Sequence, residues 1–238
     1  MFRLLPADGE ARHARHDESL IALAAEWGPH ACIWEAEQGL VVPRTYQRFS
    51  RFSQACSDFA EQGWPIAVRQ SGGGIVPQGP GIVNLSLAYA VQGKPLDHSD
   101  QAYLLICRIV SRALEEYGVA AHAQAVEGSF CDGRYNLAVG VGGRARKVAG
   151  TAQLWRRHRM DPAQDHCQIV LVHALILASV DIAAVTLRAN GFEQAIGSGR
   201  RYVPDSAVSL SELCAAEMDP RSLTESLKQS LARKIAAI

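Results

Sequence analysis

The sequence predicts one α+β domain built on a mixed, largely antiparallel sheet with flanking helices. Two observations predict it. Strands in the second half follow one another as hairpins instead of alternating with helices, and no linker, repeat or compositional shift divides the 238 residues, so a single domain over 1–238 is expected. The composition agrees, because 48% hydrophobic and 20% charged residues fill a core of this size without disulfides or metals.

Each element has its own signal. His16-Asp-Glu-Ser19 ahead of an apolar run predicts a helix that Asp17 caps and Gly28 ends. Residues 31–36 and 39–43 read as short strands joined hairpin-fashion through Glu-Gln-Gly. Phe49, Phe52, Cys56 and Phe59 recur at helical spacing, and Pro65–Arg69 is a buried strand that runs into three glycines. Residues 81–87 alternate like a strand, whereas Tyr103, Ile106, Cys107, Val110, Ala113 and Leu114 mark one face of a helix over 98–118. Strands then follow at 122–126, 135–141, 145–155 and 167–177, with a hairpin turn at the glycines of Val141-Gly-Gly-Arg144. Helices are expected at 179–189, 209–217 and 219–238.

Charge and cysteine usage exclude several classes of function. With 24 basic and 24 acidic side chains the net charge is zero, so neither a nucleic acid nor a membrane surface is the expected partner. The six cysteines form no CxxC pair and no zinc spacing; His13, His16, His158 and His166 share no metal-like spacing either, so no metal site is expected. Residues 1–18 lack the apolar stretch of a signal sequence. The longest apolar run, 169–180, is too short to span a bilayer and is interrupted by His173. A reduced, cytoplasmic protein is expected.

Three segments carry candidate chemistry. In Arg69-Gln-Ser71-Gly-Gly-Gly-Ile75-Val-Pro-Gln78, successive glycines let the backbone approach a ligand and offer N–H groups to its oxygens, and Arg69 at the strand end could orient it. The spacing is neither a P-loop nor a dinucleotide fingerprint. Lys147 is one of only four lysines and stands beside Ala149, Gly150 and Ala152, a narrow floor with room for a substrate; as a bare pattern it is also compatible with a solvated lysine in a basic cluster. Cys131 lies in a glycine-flanked loop, where Arg134 and Lys147 would favour a thiolate nucleophile, although a lone cysteine is more often structural. His173, in an apolar strand, reads as a structural histidine, with a general-base role as the lesser alternative. Arg156-Arg-His-Arg159 reads as a solvated hairpin end, or a patch that steers an acidic carrier domain.

Taken together, Arg69-x-Ser-Gly-Gly-Gly, Gly133-Arg-x-Asn-Leu and Arg146-Lys-Val-Ala-Gly-Thr-Ala-Gln resemble, in order and separation, the motifs of the lipoate-protein ligase A family of the biotin and lipoate protein ligase superfamily. Residues 170–177, Val180-Asp-Ile and Ala207-Val-Ser-Leu extend the resemblance from about Asp17 to about Leu213. It implies a catalytic core like that of class II aminoacyl-tRNA synthetases, and attachment of octanoate or lipoate to a lysine of a lipoyl-domain protein. It also implies Lys147 as the essential lysine at the acyl carbonyl, with substrate bound by Arg69, Ser71, Gly72, Gly73, Gly74, Ile75, Gln78, Asn136, Gly150, Thr151 and Ala152.

The family contains two chemistries. Octanoyltransferases work through a cysteine thioester and need no cofactor, taking the acyl group from acyl carrier protein or another lipoyl-domain protein. In one branch that cysteine precedes the lysine motif, much as Cys131 stands sixteen residues before Lys147. Ligases use ATP and magnesium. The usual ligase Gly-Arg-Asn-Asp is here Gly133-Arg-Tyr-Asn136, Gln78 replaces a histidine, and no C-terminal accessory domain is expected. These departures favour a Cys131-dependent acyltransferase. An ATP-dependent ligase with a separate accessory subunit and a non-catalytic acyl or lipoyl-domain binder are the alternatives.

Overall fold

Alternation along three long strands decides the architecture. The computed structural model describes residues 1–6, 13, 15–158, 167–214 and 218–238. Its main sheet has seven strands: β1 (Arg3–Leu4), β2 (His30–Trp34), β6 (Ile82–Gln92), β7 (His122–Gln124), β8 (Asn136–Val139), β9 (Arg146–Arg157) and β10 (Cys167–Leu177), in the order β1-β2-β6-β10-β9-β8-β7. A separate three-stranded sheet, β4-β3-β5, holds β3 (Gly39–Pro43) between β4 (Ile66–Arg69) and β5 (Val76–Gln78). Pairing is antiparallel except for β1 with β2 and β3 with β4. The mixed, largely antiparallel sheet with flanking helices is therefore the observed class.

The side-chain period of a strand splits the main sheet into two faces. Val170, Val172, Ala174 and Ile176 of β10, with Val83, Leu85 and Leu87 of β6, pack under α3 (Pro95–Glu115) and α6 (Pro220–Ala236). The latter helix contributes Leu223, Leu227, Leu231 and Ile235 at four-residue spacing. Each such fully buried aliphatic side chain stabilises the fold by about 1.5–3 kcal/mol. The opposite face carries Leu171, His173 and Leu175 of β10 and is only partly covered, by α1 (Leu20–Trp27) and the small sheet. The small sheet packs on α2 (Phe52–Glu61) and α4 (Ile182–Ile196) through Leu40, Val42, Phe59, Val185 and Phe192.

Two local expectations fail. β2 and β3 do not form a hairpin: each belongs to a different sheet, because β2 pairs along the eleven-residue β6, with β1 on its other edge, while β3 is taken up between β4 and β5. Asp17 does not cap α1. It lies in the turn His16–Ser19, 4% exposed, and its carboxylate accepts from Ser86 and His173 across the sheet instead. Gly28 ends α1 at φ +84°, as expected. The helix expected at 179–189 starts at Ile182, where Asp181 caps it, and runs on to Ile196; that at 209–217 is the short α5 (Leu210–Leu213). Positions 215–217, Arg159 and His166 lie outside the described residues.

Candidate active site

The partly covered sheet face is the floor of a cavity. Strand register arranges the floor in rows across β2, β6, β10 and β9: Trp34–Asn84–Leu175–Gly150, then Cys32–Ser86–His173–Ala152, then His30–Ala88–Leu171–Leu154. Val41, Val76, Pro77 and Phe130 form the opposite wall. The lining is mostly apolar, with polar groups gathered near the first two rows. Gln78 and Asn84, both buried, exchange amide hydrogen bonds of 2.9 and 3.0 Å.

The triple-glycine loop leads on from Ser71, which lines the cavity. Arg69, at the end of β4, does not point a free guanidinium at the cavity. It is 6% exposed and donates to the carbonyls of Val41, Gly72 and Gly74 at 3.1, 2.9 and 2.6 Å. That anchoring fixes the loop's carbonyls inward, and the backbone N–H groups of Gly72, Gly73 and Gly74 have no partner among the described residues. Burial lowers the pKa of Arg69. Ile75, fully buried, is held by its N–H donating to Tyr46 Oη at 3.3 Å. Tyr46 and Tyr202 in turn donate to the buried carboxylate of Glu193 at 2.6 and 2.8 Å. Arg200 donates to Tyr46 at 2.8 Å, so the loop rests on a polar brace.

Cys131 faces this loop. A β-carbon at Gly73 would overlap its sulfur, so only glycine admits the thiol there. The residue is half-buried and has φ +48°, the left-handed region that a side chain rarely adopts. Its carbonyl is held by Gly133 N–H at 2.8 Å, Asn136 Nδ2 at 3.1 Å and Lys147 Nζ at 3.3 Å. The nucleophile candidate is thus set on a strained turn that three donors hold down. Cys131 lines both the apolar cavity and a second, more open one rimmed by Gly74, Asp132, Arg200, Arg201 and Tyr202.

Lys147 is 2% exposed, which discards the solvated-lysine reading. Its Nζ also donates to the carbonyl of Phe130. Gly150 makes the room, because a β-carbon there would fall 2.7 Å from Nζ. Burial is the main cause that lowers the Lys147 pKa to about 8, offset in part by Cys131 and Asp132. Thr151 Oγ1 donates to the Tyr135 carbonyl at 2.8 Å and Ala152 forms part of the floor.

The profile of the lipoyl protein ligase A/B catalytic domain matches residues 15–232. The chain belongs to that family. Within it, an uncharacterized protein of Cupriavidus necator is 51% identical over 83% of this chain and 79% of its own. An octanoyl-[GcvH]:protein N-octanoyltransferase of Kyrpidia tusciae is 33% identical over 81% of this chain and 65% of its own, so the chain spans just under two thirds of that relative. Among solved structures, protein Ta0514 of T. acidophilum with bound lipoic acid superposes with TM-score 0.64 at 14% identity, covering 99% of this chain and 84% of that one. A lipoate-protein ligase A bound with ATP gives 0.63 at 13%, covering 99% and 85%. At such identities these two share the fold. Membership of this catalytic-domain family makes the chain an enzyme of the lipoate ligase or transferase type.

The structure gathers Ser71, Gln78, Cys131, Lys147, Gly150, Thr151 and Ala152 around one cavity, with Gly73 and Gly74 in contact with Cys131. Arg69 also lines it, with its guanidinium engaged by loop carbonyls, and Asn136 stands behind as a support. Arg134 is not beside the thiol: it pairs with Asp100 at 2.7 Å and lies over the Tyr135 ring. As parts of the site, Asp17, read as a helix cap, and Trp34, Ser86, Tyr46 and Glu193 escaped the sequence reading. For His173 a usable signal existed, since alternation in β10 puts it on the same face as Leu171 and Leu175. No group of three His, Cys, Asp or Glu among the described residues is arranged for a metal ion, and no described helix is long and apolar enough to cross a membrane.

Proposed function

We propose that the chain transfers an octanoyl or lipoyl group to the lysine of a lipoyl-domain protein through a thioester on Cys131. One observation carries the reading: the Cys131 thiol stands where an apolar cavity and an open one meet, beside a buried lysine and free loop N–H groups. The acyl chain enters the apolar side, where each buried CH₂ contributes about 0.8 kcal/mol. The donor arm, from acyl carrier protein or an octanoylated lipoyl-domain protein such as the GcvH in the relative's name, lies in the open side.

The Cys131 thiolate attacks the acyl carbonyl, and its electrons move to an oxyanion facing the glycine N–H groups and Lys147. Collapse expels the donor's thiol or amine with a proton and leaves acyl-Cys131. The acceptor lysine, as the free amine, then attacks the same carbon. The amide forms, the C–S bond breaks, the nitrogen gives a proton to water, replacing the one that left with the donor, and the thiolate returns. Intact-mass measurement after mixing with octanoyl carrier protein or octanoylated GcvH should show one octanoyl group on Cys131. Cys131→Ser with full transfer activity overturns the reading.

The second cavity supports one rival. Arg200 and Arg201 suit nucleotide phosphates, and Asp132 is a carboxylate able to share a magnesium ion with them, so an ATP-dependent ligase is the second reading. Lipoate-dependent pyrophosphate exchange that survives Cys131→Ala would decide for it.

A further inference from the structure

A second constellation sits in the cavity floor, apart from Cys131 and Lys147. His173 Nδ1 is 2.8 Å from Asp17 Oδ2, and its Nε2 is 3.3 Å from Ser71 Oγ. Asp17 is 4% exposed and also accepts from Ser86 at 3.0 Å, and Ser86 accepts from Trp34 Nε1 at 3.2 Å, so the carboxylate is held in place. Such a carboxylate keeps the imidazole proton on Nδ1 and leaves Nε2 as the acceptor for the serine hydroxyl. Ser71 and His173 both line the apolar cavity. The N–H groups of Gly72 and Gly73, which have no partner among the described residues, directly follow the serine in the chain. Nucleophile, base and orienting acid are thus present together.

We propose that Ser71, His173 and Asp17 form a second catalytic centre that hydrolyses short-chain acyl esters. Ser71 Oγ attacks the acyl carbonyl as its proton passes to His173 Nε2. The ester C–O bond breaks and that proton leaves on the alcohol. Water then attacks the acyl-serine, giving one proton to His173, which returns it to Ser71 as the carboxylic acid departs.

The floor rows set the chain length. Lys147 Nζ lies over Gly150, opposite Leu175, whereas His173 is one row further in, about 7 Å along the strand. An acyl group on Ser71 would start one row nearer the Leu171–Leu154 row, so we assign this centre acyl groups several methylenes shorter than octanoyl.

The test uses Cys131→Ala, which removes the other nucleophile. This variant is given 4-nitrophenyl butyrate and octanoate, and separately a fluorophosphonate with the labelled peptide read by mass spectrometry. Expected are continuous turnover of the butyrate ester, preferred over octanoate at least about tenfold, and phosphonate on Ser71. Adding Ser71→Ala or Asp17→Asn should lower turnover at least about a hundredfold. The label on Ser71 is read without those second substitutions, so their folding does not affect it. Absence of label at Ser71, or hydrolysis unchanged by Ser71→Ala, overturns the proposal. Octanoyl transfer by the unaltered protein is scored separately, so failure of the Cys131 reading leaves this result standing.

Discussion

Lys147 holds a charge in a place that resists one, and this sets stability against its proposed role at the oxyanion. Its folded-state pKa of about 8 lies below the ordinary 10.5, chiefly through burial. Between those values the unfolded chain binds the proton more readily than the folded one. Stability therefore rises as pH increases across that window, by up to about 3 kcal/mol, and the cost is fully present below pH 8. Stabilising an oxyanion needs the charged form, so transfer should fall as pH rises through about 8. Denaturant midpoints and transfer rates measured over pH 7–10 should diverge. An activity limb that stays flat to pH 10 would remove Lys147 from the oxyanion role.

At the scale of the element, β9 works because one of its residues has no side chain. Gly150 leaves the space that Lys147 fills, and the atoms in the way of a β-carbon are the far end of a flexible chain, Nζ at 2.7 Å and Cε at 2.8 Å. Gly150→Ala should therefore displace the ammonium without unfolding the strand. Activity should drop at least about tenfold, while the melting temperature moves by only a few degrees; a variant with unaltered kcat would show that the lysine's position is immaterial. Elements of this kind were legible in the sequence. Alternation gave the strand that starts near Gly81, turn-bounded runs gave β9 and β10, and the small residues after Lys147 marked its floor. What stayed hidden was long-range. Asp17 carries a local capping signal that loses to partners 69 and 156 residues away, and β2 and β3 look like a hairpin until β6 and β4 compete for their edges. Arg69 read as a ligand-facing cation, yet the unmet carbonyls of its own loop claim it first.

Across the whole molecule, the main sheet is unevenly covered. One face is sealed by α3 and α6, while the other keeps Leu171, Leu175, Leu177 and Leu154 around an open cavity. In the proposed reaction the acyl chain lies against this second face and covers it. Filling that space belongs to the same balance sheet as burying a leucine, so the acylated protein should melt well above the free one. Seven saturated carbons at about 0.8 kcal/mol each set a ceiling of about 6 kcal/mol. A thermal scan before and after incubation with the acyl donor should show a rise of several degrees that Cys131→Ala abolishes. The melting temperature then becomes a gauge of loading: a cell short of acyl donor would hold this protein in its softer form, more open to proteolysis, and supply would set abundance without any separate regulator.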